Sequence, residues 1–232
     1  MFRTTPDPDV LPCNVARCSI AVDLHDEAGD LALAFPGVAL PESLRGAVRK
    51  RRLEYLAGRW CAREALRVGH AHLAEHPLPP GADRAPAWPG VVVGSITHTQ
   101  GFVSAAVASA AEFRGVGIDS ERVFTAEAAL RLAGRFARPG ELAALGRGGA
   151  YDEGTLAALV FSAKESVYKC LYPIVGGYFG FQAAEVVALS IGGALRVRLV
   201  EGLPGGFRAG DEFAGRAAVT ATHVHTAITL RA

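Results

Sequence analysis

The sequence predicts a mixed α/β (α+β) fold in two halves of like element order, which leaves a duplicated architecture open although no residue-level repeat marks one. Apolar residues recur at near-helical spacing over 41–68 and again over 155–171, and short apolar runs of strand length flank both stretches. Each half therefore runs from strand to helix to paired strands. The 232 residues are enough for one large domain or two small ones with a real core. Half of them are apolar, a fifth are charged, and the net charge is +1. That balance excludes a disordered tail, a collagen-like fibre and a globally basic nucleic-acid coat.

Residues 1–17 read as an irregular leader. Pro6, Asp7, Pro8 and Asp9 leave Met1 to Val10 without a basic n-region or an apolar h-region, so no export signal is expected there. Cys18 to Leu24 reads as a strand. Pro41 to Val68 reads as one long helix, with Leu44, Val48, Leu53, Leu56, Trp60 and Leu66 on its apolar face and Gly69 as its stop. Five prolines between 76 and 90 make a loop. Val91 to Thr97 and Phe102 to Ala108, split by Thr99-Gln100-Gly101, read as a hairpin.

A domain boundary is expected at Glu112 to Gly115, dividing 1–113 from 114–232. Beyond it Val116 to Glu121 is strand-like, and Thr125 caps a helix running to about Ala137. Gly146, Gly148 and Gly149 read as a break. Thr155 to Leu171 reads as a helix halted by Pro173. Glu185 to Ile191, Leu195 to Val200, Ala214 to Ala221 and Val224 to Leu230 read as strands.

No segment is long and apolar enough to be a membrane span: Gly101 to Ala111 has roughly half the required length. The four cysteines are scattered and form no CxxC pair, so reduced thiols in a cytoplasmic protein are expected.

Charge is unevenly spread. Residues 45–67 carry eight bases (Arg45, Arg49, Lys50, Arg51, Arg52, Arg59, Arg63, Arg67) against Glu54 and Glu64. A solvated helix face is the plain meaning of such a run. The sharper one is an anion site, with Arg52, Arg59 and Arg63 near one face for bidentate grip on phosphates. Of the three lysines, Lys164 and Lys169 sit five residues apart, and a compact ammonium is not interchangeable with a guanidinium.

Three short constellations carry candidate chemistry. In Gly117-Ile-Asp-Ser-Glu121, Asp119 and Glu121 share a strand face, and two adjacent carboxylates suit a hard cation such as Mg²⁺. A strand end turning into a solvated loop would look the same. In Phe161 to Lys169, Glu165 and Lys169 share a helix face; they can serve a metal and phosphate oxygens, or form an ordinary surface pair. In Gly94-Ser-Ile-Thr-His98, Thr97 and His98 can bind a phosphate, although a loop histidine is often structural. His70, His72 and His76 are read as solvated rather than as zinc ligands, and His223 and His225 as edge-strand residues.

Taken in order, Arg51-Arg-Leu-Glu-Tyr-Leu-Ala-Gly-Arg-Trp-Cys-Ala-Arg63, Ala85-Pro-Ala-Trp-Pro89, Gly94-Ser-Ile-Thr-His98, Gly117-Ile-Asp-Ser-Glu121 and Phe161-Ser-Ala-Lys-Glu-Ser-Val-Tyr-Lys169 resemble the 4′-phosphopantetheinyl transferases of the surfactin-synthetase type, in their enterobactin-synthetase-like branch. The resemblance covers roughly residues 45–175.

It implies a pseudo-dimer of two α/β halves with the active site between them. It also implies transfer of the phosphopantetheine arm of coenzyme A to a serine of an apo acyl or peptidyl carrier protein, with release of 3′,5′-ADP. Asp119, Glu121 and Glu165 match the family's Mg²⁺ carboxylates. Thr97 and His98 match its coenzyme A phosphate pair, Arg51, Arg59 and Arg84 its nucleotide-end bases, and Lys164 and Lys169 the lysines near the pyrophosphate. Glu165, Lys164 and Lys169 are the expected catalytic residues, with Glu165 or a metal-bound water as the proton acceptor.

The client carrier, by the same resemblance, presents an acidic helix to a basic and apolar surface. Arg131, Arg135 and Arg138 with Leu132 and Phe136 are candidates for that surface. The expected molecule is a cytoplasmic monomer that binds no nucleic acid and no membrane. A non-catalytic carrier-protein or coenzyme A binding protein of the same fold is the alternative.

Overall fold

The computed structural model describes residues 2–6, 8–23, 34–81 and 85–232. The chain divides into two compact units, Met1–Asp7 with Pro12–Glu112 and Pro8–Leu11 with Phe113–Ala232. The architecture is mixed α/β, and each unit lays a long helix on an antiparallel sheet.

In the first unit, β1 (Arg3–Thr4), β2 (Ala16–Ala21), β3 (Val92–Thr99) and β4 (Phe102–Ser109) form a sheet of order β1-β2-β4-β3. Helix α1 (Arg49–Gly69) packs on β2 and β4. Its Leu53, Leu56, Ala57, Cys61, Ala65 and Leu66 meet Ile20, Val103, Ala105 and Val107, one face of each strand, as strand alternation requires. The helix begins at Arg49 rather than at Pro41. Glu42–Leu44 make a separate 3-10 turn, and Val48 is extended at ψ 148, outside the helical region. The first turn of α1 is therefore Arg49-Lys-Arg-Arg52, four cations at the positive end of the helix dipole with no acid beside them in that turn. Helices usually avoid this, and such local conflicts collect where function imposes them.

In the second unit, β5 (Phe113–Arg122), β6 (Ala184–Leu189), β7 (Ala194–Leu199), β8 (Glu212–Val219) and β9 (His223–Arg231) form a sheet of order β5-β9-β8-β7-β6. Three helices accompany it: α2 (Ala126–Phe136), α3 (Glu141–Gly146) and α4 (Glu153–Val175). Thr125 caps α2, its Oγ1 accepting from Ala128 N at 3.1 Å, and Asp152 caps α4 by accepting from Thr155 N at 2.9 Å.

Two local readings are corrected here. Residues 141–146, next to the expected glycine break, form α3. Pro173 does not stop α4: within the last turn it removes only one backbone donor, and the helix ends at Gly176, whose φ of 70° suits glycine and whose N–H donates to Tyr172 O at 2.9 Å.

What lets α4 lie on β5 is the absence of two side chains. A Cβ at Gly117 would stand 1.9 Å from Ser166 O, and one at Gly115 would stand 2.3 Å from Cys170 O. Helix and strand thus touch backbone to backbone. The same contact encloses Cys170, whose thiol burial pushes up to about 12. Gly117→Ala should consequently destabilise the protein by roughly 3 kcal/mol in urea denaturation, because the added methyl meets backbone that cannot swing aside.

Candidate active site

The glycine contact sets one strand face against the helix. Gly115, Gly117 and Asp119 alternate along β5 on the α4 side, and Glu121 continues the row. Lys169, one helical turn beyond Glu165, donates from Nζ to Asp119 Oδ1 at 2.6 Å and to Ile118 O at 3.3 Å. Asp119 is buried, while the Lys169 side chain keeps a quarter of its surface exposed. Glu165 lies within electrostatic reach of both. Burial raises the pKa of its carboxyl, the Lys169 ammonium opposes that rise, and the Asp119 charge adds to it. A cleft of ≈ 120 Å³ opens at Glu165, walled by Lys164, Tyr168, Tyr178, Phe179, Gly180, Phe181 and Ala184. Tyr168 packs against Phe179 and Tyr178, with ring centroids 5.1 and 5.9 Å away.

The opposite face of the acidic triplet is also built. Ser120 Oγ lies 2.8 Å from Nδ1 of His225, its cross-strand partner on β9. β9 sits between β5 and β8, so it is not the edge strand the sequence suggested, and His225 is buried. Burial above all, with His223 stacked beside it, pushes the His225 pKa down to about 4.

In the first unit, Arg51 donates to Glu54 at 3.3 Å, and Glu54 Oε1 stands 3.9 Å from His98 Nδ1. Arg59 is buried, donates from Nε to Leu78 O at 2.7 Å and stacks its guanidinium 4.8 Å over the Tyr55 ring. Thr97 and His98 are adjacent on β3 and so point to opposite faces: His98 stands on the α1 side near Glu54, and Thr97 is buried on the other. Arg63 differs from the expected phosphate grip. It is a brace, donating to both Glu75 oxygens at 2.6 Å, to Ala74 O at 3.2 Å and to Pro36 O at 2.9 Å. Arg84 lies outside the described residues.

Comparison with known proteins separates the readings of such a site. Residues 40–108 match the model of the 4′-phosphopantetheinyl transferase N-terminal domain, and residues 115–221 match that of the 4′-phosphopantetheinyl transferase superfamily. The chain is 39% identical over 216 residues to the 4′-phosphopantetheinyl transferase Svp of Streptomyces mobaraensis, covering 87% of this chain and 80% of that one. It belongs to the 4′-phosphopantetheinyl transferase superfamily.

Two further relatives agree. The 4′-phosphopantetheinyl transferase PptT of Mycobacterium tuberculosis is 32% identical over 76% of this chain and 74% of its own. Enterobactin synthase component D of Salmonella typhi is 35% identical over 64% of this chain and 60% of its own. This chain is accordingly an enzyme of the transferase class, one that hands the phosphopantetheine group of coenzyme A to carrier proteins. The non-catalytic alternative is not favoured.

Within the transferase, the acids have the right donor chemistry for a hard dication. Asp119, Glu121 and Glu165 offer only oxygen, and the Asp119 charge that raises the Glu165 pKa is a repulsion that a cation relieves. Among the described residues, however, no group of three or more His, Cys, Asp or Glu side chains is arranged to hold a metal ion. The structure pairs Asp119 with Lys169 instead.

Lys164 lines the cleft, but its ammonium is turned away from it. It was expected near the pyrophosphate, but its Nζ lies in the interior and donates to Phe136 O and Glu141 Oε2 at 2.8 Å and to Phe181 O at 3.3 Å. Burial lowers its pKa, with Glu141 opposing. Glu141 is the residue that sequence reasoning missed. Its one local signal was Pro139-Gly140 just ahead of it, a turn that can open a helix.

His225 gives a pH signature. Its folded pKa of about 4 lies below the ordinary imidazole value of 6.5, so its stabilisation is present above pH 6.5 and is lost as pH falls towards 4. Comparing wild type with His225→Gln by chemical denaturation, the wild-type advantage should shrink as pH drops through that window.

Proposed function

We propose that this transferase joins a carrier serine to the phosphopantetheine arm of coenzyme A and releases 3′,5′-ADP. In this reading residues 114–232 hold Mg²⁺ and do the chemistry, while residues 1–113 contact the nucleotide. The observation that carries it is the junction of Asp119, Lys169 and Glu165, with Glu165 lining an aromatic cleft.

In the reaction, the serine Oγ forms a bond to the phosphorus bearing the pantetheine. The bond from that phosphorus to the bridging oxygen breaks, and 3′,5′-ADP leaves. Such a transfer depends on positioning and charge neutralisation more than on covalent catalysis. Lys169, a quarter exposed beside Asp119, supplies an ammonium to the diphosphate. Glu165 accepts the serine proton, a role that suits a carboxyl whose pKa burial has raised. Asp119, Glu121 and Glu165 would hold Mg²⁺, which supplies charge neutralisation to the diphosphate when bound. At the nucleotide end, Arg51 and Arg59 sit on the cationic α1, with Thr97, His98 and Arg84 as the further phosphate contacts.

The tyrosine and phenylalanine walls of the cleft, with the Lys164 ammonium turned onto buried acceptors, suit the uncharged pantetheine arm. The client is a carrier of siderophore, polyketide or peptide assembly, in keeping with the enterobactin synthase name of one relative. Cys13, Cys18, Cys61 and Cys170 are free thiols, which suits the cytoplasm, and no described helix is long and apolar enough to cross a membrane. The enzyme acts as a monomer.

Leu132 and Phe136 do not face the carrier, because they pack into the core. The exposed side of α2 carries Leu130, Arg131 and Arg135, an apolar and basic patch for an acidic helix.

Incubation with coenzyme A, Mg²⁺ and an apo carrier should yield a carrier heavier by one phosphopantetheine group. Glu165→Gln should lower kcat by about 10²-fold or more with the melting temperature retained; an active variant removes Glu165 from the mechanism. Arg131→Glu with Arg135→Glu should raise KM for carrier roughly tenfold and leave KM for coenzyme A unchanged, as steady-state kinetics would show.

A further inference from the structure

An ammonium has three N–H donors and no acceptor. At Lys164 all three have a partner: Phe136 O, Glu141 Oε2 and Phe181 O, at 2.8, 2.8 and 3.3 Å. Glu141 is equally engaged. Its Oε1 accepts from Val186 N at 2.6 Å, and its Oε2 accepts from Arg138 N at 2.7 Å as well as from Lys164. The two side chains are 1% and 0% exposed. No donor remains for a phosphate, and none could be released without leaving a charge buried and unpaired.

The partners define what the pair does. Phe136 closes α2, Arg138 lies in the turn before α3, Glu141 opens α3, Val186 is in β6 and Lys164 is in α4. Phe181 belongs to the wall of the cleft beside Glu165. Two neighbouring bonds brace the same wall: Arg138 Nη1 donates to Gln182 O at 2.6 Å, and Gln182 Nε2 donates to Ala137 O at 3.3 Å. Rings continue the brace, with Phe161 centred 5.5 Å from Phe136 and 5.3 Å from Phe181. Lys164 and Glu165 both line the cleft, but the Lys164 ammonium is turned onto these buried acceptors and so anchors the wall beside Glu165.

We infer that Lys164 is a positioning residue: paired with Glu141, it fixes the 178–181 wall of the cleft at Glu165 and never touches the diphosphate. This rests on the transferase reading of that cleft. It separates two adjacent residues of one motif into different tasks, the first holding the wall and the second meeting the substrate.

The chain has only three lysines, Lys50, Lys164 and Lys169, so amine labelling reads each one separately. Reductive methylation of the wild-type protein, mapped by mass spectrometry, should modify Lys50 and Lys169 and spare Lys164, with or without coenzyme A. Added coenzyme A should protect Lys169. Lys164 labelled in the free protein and protected by coenzyme A would overturn the inference.

Kinetics gives the second arm. Lys164→Met, which strands the Glu141 charge, should lower the melting temperature by roughly 10 °C or more. It should also raise KM for coenzyme A about tenfold while inhibition by 3′,5′-ADP, which lacks the arm, stays unchanged. Lys164→Met with Glu141→Gln removes both charges and should recover most of both losses. A double variant that regains its melting temperature but not its KM would show that the ammonium itself meets substrate. Loss of transfer in the wild type would sink the transferase reading instead, and the labelling and melting results would stand apart from it.

Discussion

Everything in the candidate site follows from one close approach, that of α4 to β5. Two glycines at alternate positions of the strand leave no Cβ between strand and helix, and backbone meets backbone at Ser166 and Cys170. The next residue on that face is Asp119, and with the helix this near, a lysine side chain spans the remaining gap to it. A larger residue at 115 or 117 would lift the helix and take Lys169 and Glu165 with it. The glycines thus act on the chemistry by being small, without touching a ligand.

The site combines groups that would be unstable apart. Asp119 is buried and negative, Glu165 is half-withdrawn from water, and the Lys169 ammonium acts on both. A buried carboxylate with a single cation is a weak source of stability, since desolvation offsets much of the attraction. Its value lies in what the arrangement can accept, namely more positive charge and an anionic substrate. Lys164 and Glu141 show the opposite design a few residues away. There every donor and nearly every acceptor is matched, and the pair is closed to anything from outside.

α1 presents the same contrast between open and closed groups. Arg63 is held by Glu75 and two backbone carbonyls, so its charge serves the fold. The four cations of the first turn have no acid within that turn to offset them, although a helix prefers anions there. Within one run of basic residues, spacing alone does not say which charge is braced as Arg63 is.

The sequence by itself determined the class of fold and the family. Apolar period separates helix from strand without any knowledge of partners, and the motif residues Asp119, Glu121, Glu165 and Lys169 stand at fixed offsets that the chain preserves. It erred where an element depends on something distant. α3 is short and glycine-flanked, and it is a helix because Glu141 at its head is buried against Lys164, 23 residues away. β9 is interior because it pairs with β8 on one side and returns to β5 on the other, so His225 is buried rather than at an edge. Only the tertiary structure decided which lysine faces the site. The two are alike in the motif, but at five residues apart on a helix they point in different directions, one into the core and one towards Asp119.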